Sequence, residues 1–72
     1  MNSVTKTIIE KTKQLRFNNL EPKYLYLGRG SFDILRSSEE SHSIILHGDG
    51  LYEYMGMEII FVSDNDHINI GL

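Results

Sequence analysis

The residues best placed to hold a ligand form the turn Gly28-Arg29-Gly30-Ser31. Two glycines allow backbone N–H groups to point toward one spot, Ser31 adds a hydroxyl, and Arg29 adds a full positive charge. A helix is predicted to begin here, and its N-terminus would add partial positive charge. The turn therefore predicts a site for a phosphate, a carboxylate or a nucleotide. The alternative is a tight strand-to-helix connection that needs glycine for its backbone angles alone.

Longer nucleotide-binding motifs do not match this turn. A Walker loop needs a second spaced glycine followed by Lys and Ser or Thr, and these residues are missing. The dinucleotide fingerprint needs a third glycine at position 33, which is Asp33. Any anion site would therefore depend on the four residues of the turn itself.

Metal and hydrolytic chemistry are predicted to be absent. The histidines His42, His47 and His67 have no helical spacing of a zinc motif. The segment Asp64-Asn65-Asp66 resembles the start of a calcium loop, but the glycine and the terminal acid of such a loop are missing. No serine has the glycine context of a nucleophile elbow. We expect no metal, no cofactor and no enzymatic activity.

Four tyrosines occur as two alternating pairs, Tyr24 with Tyr26 and Tyr52 with Tyr54. If their strands are neighbours, the rings form an aromatic ladder, which could stack nucleic-acid bases, contact a protein or simply pack across strands. Glu53 between the second pair disfavours nucleic acid. We predict a protein interface that includes all four tyrosines and Met55.

The first half of the chain is predicted to fold as helix, strand and helix. Residues 3 to about 19 place Val4, Ile8 and Leu15 on one face, with Ser3 as N-cap and the Asn18-Asn19 pair as the end. A strand inside a sheet is predicted at 23–27, because Tyr24 and Tyr26 alternate there with Leu25 and Leu27. A short helix follows, with Ser31 as N-cap and with Phe32 and Leu35 on its apolar face.

The second half is predicted to be β-structure. Strands are expected at 43–46, 51–55, 57–62 and 67–70, separated by turns rich in glycine and aspartate. Met57, Ile59 and Phe61 would share one face, and Ile68 and Ile70 would point inward. The order α-β-α-β-β-β-β predicts one α+β domain over 1–72, with two helices covering one face of a mostly antiparallel sheet.

Length and charge favour association with another protein. A chain of 72 residues without cysteine has a small core and no disulfide to support it. All seven basic residues lie in the first 36 positions with three of the ten acids, and the other seven acids follow. This asymmetry indicates nucleic-acid contact, head-to-tail self-association, or two halves that complement each other. No apolar run could span a membrane, so a soluble intracellular protein is expected.

Three segments resemble small proteins of tailed bacteriophages: EPKYLYLG at 21–28, FDIL at 32–35 and YMGMEIIFVSD at 54–64. More distantly, they are similar to the peripheral-domain segment of phage major capsid proteins, whose other parts have no counterpart here. The resemblance implies a phage origin and non-enzymatic work by binding, in the bacterial cytoplasm or the virion. The expected partner is a second copy, a host protein or another phage protein, and the alternative is a sequestered nucleotide.

Overall fold

A computed structural model describes residues 3–37 and 44–72 and confirms the α+β class and the order of its elements. Helices and strands alternate in the first half, and strands follow one another in the second. The elements are α1 (Ser3–Phe17), β1 (Tyr24–Gly28), α2 (Arg29–Arg36), β2 (Ile44–Leu46), β3 (Tyr52–Tyr54), β4 (Met57–Val62) and β5 (Ile68–Gly71). The predicted start of β2 at residue 43 lies outside the described ranges.

The strands form one five-stranded sheet in the order β2-β3-β4-β1-β5. Every neighbouring pair is antiparallel except β1 with β4, which run parallel. A parallel pair needs a long crossover connection, and here α2, β2 and β3 together provide it. β1 therefore lies inside the sheet between β4 and β5, as its alternating leucines and tyrosines predict.

Both helices pack on the same face of the sheet, as the sequence predicts. Leu25 and Leu27 of β1 are fully buried, and their register neighbours Ile59 and Phe61 of β4 point the same way. Ile68 and Ile70 of β5 share this face. The helices contribute apolar side chains to the same core, namely Val4 and Ile8 of α1 and Phe32 and Leu35 of α2.

α1 ends where the sequence predicts an end. Asn19 has a positive φ of 61°, a conformation that asparagine tolerates better than most residues. The Asn19 N–H donates to the Arg16 carbonyl at 3.0 Å and the Leu20 N–H to the Leu15 carbonyl at 2.9 Å. These two bonds form a Schellman motif, which satisfies carbonyls that the end of the helix leaves free.

Candidate functional site

The turn singled out in the sequence joins β1 directly to α2. Gly28 is the last residue of β1 and the N-cap of α2, with an extended backbone at φ −74° and ψ 160°. The expectation that Ser31 caps this helix is wrong, because α2 already begins at Arg29 and Ser31 lies buried in its first turn. The helix needs no capping side chain of its own, since acceptors come from another part of the chain.

Those acceptors come from Asn65 in the loop between β4 and β5. The Gly30 N–H donates to Asn65 Oδ1 at 3.0 Å, and the Ser31 N–H donates to the Asn65 carbonyl at 3.1 Å. The Gly28 N–H donates to the His67 carbonyl at 3.0 Å, which ties β1 to the end of the same loop. An anion at this helix N-terminus would have to displace Asn65 to reach the Gly30 and Ser31 amides.

The glycines permit this close approach of the loop. A Cβ atom built on Gly28 would lie 2.0 Å from the Asp64 carbonyl oxygen, and one on Gly30 would lie 2.6 Å from Asn65 Nδ2. Neither glycine has a positive φ, so free space rather than an unusual backbone angle is what each position requires. These contacts favour the alternative in which the turn is a structural connection.

The aspartates beside Asn65 shape the loop. The Asp66 N–H donates to Asp64 Oδ1 at 3.2 Å, and the His67 N–H donates to the Asp64 carbonyl at 3.2 Å. The first bond is an Asx turn, in which a side chain accepts from the backbone two residues later. The loop therefore presents Asn65 to α2, a role that the calcium-like pattern of residues 64–66 does not suggest.

Arg29 remains on the surface of this site. Its guanidinium carbon lies 4.3 Å from the centre of the Phe61 ring, a distance that permits a cation–π interaction. Phe61 in turn meets the Phe32 ring edge-on with 5.0 Å between centroids. Part of the arginine therefore covers the aromatic edge of the core, and its charge stays exposed to solvent.

Replacing Asn65 with alanine should lower the free energy of unfolding by about 0.5–2 kcal/mol, the usual cost of losing a helix cap. The loss comes from the Oδ1 acceptor of the Gly30 N–H, while the main-chain bond to Ser31 can persist. Urea denaturation followed by circular dichroism measures the change. Asn69→Ala, at an exposed strand position, is the matched control and should change stability by less than about 0.5 kcal/mol. Equal losses in the two variants would refute the capping role.

The four tyrosines lie on opposite faces of the sheet, so they do not form a single ladder. β4 separates β1 from β3. Tyr54 is 2% exposed in the core, and Tyr52 faces the same side, where its ring lies 5.1 Å from that of Phe32. Tyr24 and Tyr26 lie on the other face with 6.4 Å between their ring centroids. Tyr24 and Tyr26 are therefore placed to contact another molecule on that face, whereas Tyr54 could do so only after a rearrangement of the core.

Met55 lies outside the strands, in the turn between β3 and β4. Met55 and Gly56 both have positive φ angles, 54° and 79°. Positive φ at both central residues defines a type I′ turn, whose twist suits a two-residue hairpin. Met55 is 36% exposed at this tip, so it is accessible but separate from Tyr24 and Tyr26.

The face of the sheet opposite the helices is called the open face here. None of the described helices covers it. Register and alternation assign it these side chains: Tyr24, Tyr26, Ile45, Glu53, Glu58, Ile60, Val62 and Asn69. Most of them are half-buried. The alternation of β4 indicated that Ile60 and Val62 face away from Met57, but sequence reasoning did not assign them to an interface.

Carboxylates gather at the β3 side of the open face. Glu53 and Glu58 are directly opposite each other on neighbouring strands, a placement that is unfavourable for like charges. His47 Nε2 lies 3.2 Å from Glu53 Oε1, and both side chains are partly exposed. Beside them is a shallow cleft of about 240 Å³ with the following lining residues: His47, Asp49, Leu51, Tyr52, Glu53 and Glu58.

The described residues contain no group of three or more His, Cys, Asp or Glu side chains arranged to hold a metal ion. His47 lies in the connection between β2 and β3, and His67 lies in the connection between β4 and β5. His42 lies outside the described ranges. Within those ranges the one close contact between a carboxylate and a Lys, Arg or His nitrogen is that of Glu53 with His47, and both residues belong to the acidic half of the chain. The basic and acidic halves are therefore not joined by a described ion pair.

No family model, curated protein or solved structure matches this chain. The resemblance to phage proteins accordingly stays a prediction. Over the part of the chain that the structure describes, no helix has the length and apolar character needed to cross a membrane.

Proposed function

We propose that this chain is a small, non-enzymatic, phage-like protein that acts by protein–protein contact and self-association. Its role would be that of an accessory structural protein or of an inhibitor of a host factor, in the bacterial cytoplasm or the virion. The proposal takes up the resemblance of segments 21–28, 32–35 and 54–64 to phage proteins. It locates the contact with a different protein on the open face.

One observation carries the proposal: two helices cover one face of the sheet, and the other face carries tyrosine and β-branched side chains. Tyr24 and Tyr26 of β1 lie beside Glu58 and Ile60 of β4 in register, and Val62 continues the row. Tyrosine is enriched in protein interfaces because its rigid ring gives contact area at a low entropic cost. A small core also gains stability when a partner covers further apolar area.

The charges of the open face favour a basic partner at this surface. Glu53 and Glu58 are cross-strand neighbours, and the repulsion between them would be relieved by a lysine or arginine of the bound protein. Three exposed basic residues of the chain itself, Lys6, Lys13 and Arg16, are on α1, which packs on the other face of the sheet. The same acidic character disfavours nucleic acid as the ligand of this face.

Replacing Tyr24 with alanine should weaken capture of a partner from bacterial lysate by about tenfold or more, the effect of losing an aromatic anchor. Binding of the captured protein is then measured with purified components by calorimetry. Phe17→Ala is the matched control, because Phe17 is an aromatic residue that is 88% exposed at the end of α1, away from the open face. Unchanged binding by Tyr24→Ala, or a loss with Phe17→Ala alone, would place the contact on the helical side and refute this assignment.

The alternative function is the binding of a phosphate-bearing ligand or nucleotide at Gly28, Arg29, Gly30 and Ser31. The exposed guanidinium of Arg29 at a helix N-terminus is the feature that favours it. A thermal-shift series with inorganic phosphate and nucleotides separates the two functions. A rise in melting temperature that Arg29→Ala removes would support this alternative over the open face.

A further inference from the structure

Among the described strands, β2 is an edge of the sheet. It pairs with β3 on one side, and no described strand pairs with its other side. At the opposite edge, α1 packs against β5, so that edge has a helix beside it. Natural edge strands usually carry a charge, a proline or a bulge that blocks pairing with another chain. β2 has the sequence Ile44-Ile45-Leu46 and carries no charge and no proline.

The hydrogen bonding of the hairpin fixes which amides point outward. The His47 N–H donates to the Leu51 carbonyl at 2.8 Å, so these two residues form a hydrogen-bonded pair. Ile45 lies opposite Glu53, two residues away along each strand, and therefore belongs to the next hydrogen-bonded pair. In an antiparallel ladder, hydrogen-bonded residues alternate with residues whose N–H and C=O point the other way. The backbone groups of Ile44 and Leu46 are therefore directed at the free edge.

We propose that β2 pairs antiparallel with β2 of a second copy, around a two-fold axis that passes beside Ile45. In this register Ile44 lies opposite Leu46 of the second copy, and each exchanges N–H···O=C bonds with the other. The Ile45 side chains of the two copies meet at the centre, on the open face. The two sheets join into one, and the two open faces become continuous. This inference rests on the self-association in the proposed function and names its surface.

Charge selects a second copy as the occupant of the edge. The paired segment is aliphatic in both copies, and Ile45 and Leu46 are 49% and 60% exposed in the single chain. Each Glu53 is one strand removed from the junction, so the two copies of Glu53 would be about three strand spacings, or ~14 Å, apart, beyond the ~8 Å screening length at physiological salt. Stacking the two open faces would instead bury Glu53 and Glu58, and the open-face side chains of neither copy include a lysine or arginine to pair with them.

The pairing should be weak and dependent on concentration. Three-residue strands bury less area than the ~1,200 Å² that is the lower range of stable interfaces. Sedimentation equilibrium of the full chain should therefore show a monomer–dimer equilibrium across micromolar to millimolar concentrations. This range also suits amide hydrogen exchange by NMR, which reports on individual backbone N–H groups.

Hydrogen exchange tests the register directly. At high protein concentration the Ile44 and Leu46 amides should exchange at least about tenfold more slowly than at low concentration, because dimerisation gives them acceptors. The Ile45 amide, which faces Glu53 within the hairpin, should change less. Protection of Ile44 and Leu46 that is independent of concentration would place their acceptors within the same chain and overturn the proposal.

Leu46→Pro removes the outward N–H and leaves the hydrogen bonds of the hairpin intact, since proline is tolerated on an edge strand whose N–H faces solvent. It should raise the dimer dissociation constant by about tenfold or more. Leu46→Thr is the matched control, because it shortens the same side chain but keeps the amide, and it should weaken the dimer less. Ile45→Lys is a second test that keeps every amide and sets two like charges against each other at the axis.

The outcomes separate this inference from the proposed function. A wild-type protein that is monomeric at every concentration would overturn this inference and the self-association in the proposed function, while contact with a different protein at the open face is decided separately by the Tyr24→Ala experiment. A wild-type dimer that Leu46→Pro and Ile45→Lys leave unchanged would retain self-association and overturn the β2 edge as its site. Loss of the dimer in either folded variant, as judged by an unchanged circular dichroism spectrum, together with concentration-dependent protection of Ile44 and Leu46, supports the pairing.

Discussion

Replacing Gly28 with alanine should remove most of the stability of the protein, with a loss of about 2–4 kcal/mol in the free energy of unfolding. The added Cβ would lie 2.0 Å from the Asp64 carbonyl oxygen and 2.4 Å from the Asn65 carbonyl carbon. Both are backbone atoms, so no side-chain rotation can relieve the overlap. Overpacking usually costs about 1–3 kcal/mol, and displacing the loop would also remove the Asn65 cap, which is worth ~1 kcal/mol. A domain of this size has a total stability of only about 3–5 kcal/mol.

Thermal and urea denaturation followed by circular dichroism measure this effect, with Gly48→Ala as the matched control. Gly48 lies in the β2–β3 turn, where an added Cβ meets no atom within 4 Å. That variant should keep the cooperative transition of the wild type. A Gly28→Ala protein with the same midpoint as Gly48→Ala would show that the loop between β4 and β5 does not lie against β1.

The same turn shows how far a local pattern determines a structure. The glycines at 28 and 30 correctly indicated a tight strand-to-helix connection, because closely spaced glycines predict a turn from the local sequence alone. Their partner Asn65 is 35 residues away from Gly30 and lies in a turn whose aspartates suggested other chemistry. No spacing in the sequence links these two turns. They meet only because β1 and β4 run parallel, which places the C-terminal ends of both strands at the same end of the sheet.

The tyrosines show a second limit of sequence reasoning. Alternation within a strand correctly separated Tyr24 and Tyr26 from Leu25 and Leu27, since successive side chains point to opposite faces. Alternation does not say which of the two faces the helices will cover. In β3 the helices cover the side that carries Tyr52 and Tyr54. In β1 they cover the side that carries Leu25 and Leu27, so Tyr24 and Tyr26 lie on the other face. The register between strands decides this, and it depends on the whole topology.

The central position of β1 makes Leu25 the side chain whose truncation should cost most among simple core substitutions. Leu25 is fully buried and lies between Ile59 of β4 and Ile70 of β5 in the sheet register. Strands on both sides and the helices above limit how far the structure can collapse into a cavity. Leu25→Ala should therefore lower the free energy of unfolding by about 2–5 kcal/mol, as for other buried leucines.

Loss of this size is comparable to the whole stability expected for a domain of this length, so Leu25→Ala should shift the urea midpoint toward zero or abolish the transition. Leu51→Ala is the matched control, since it makes the same chemical change at a leucine that is 44% exposed, and it should change stability by less than about 0.5 kcal/mol. Measurements at low protein concentration keep association at β2 from contributing. If both variants unfolded at the wild-type midpoint, the core would not be organised around β1. A large loss in Leu25→Ala alone would show that the buried face of this strand stabilises the fold.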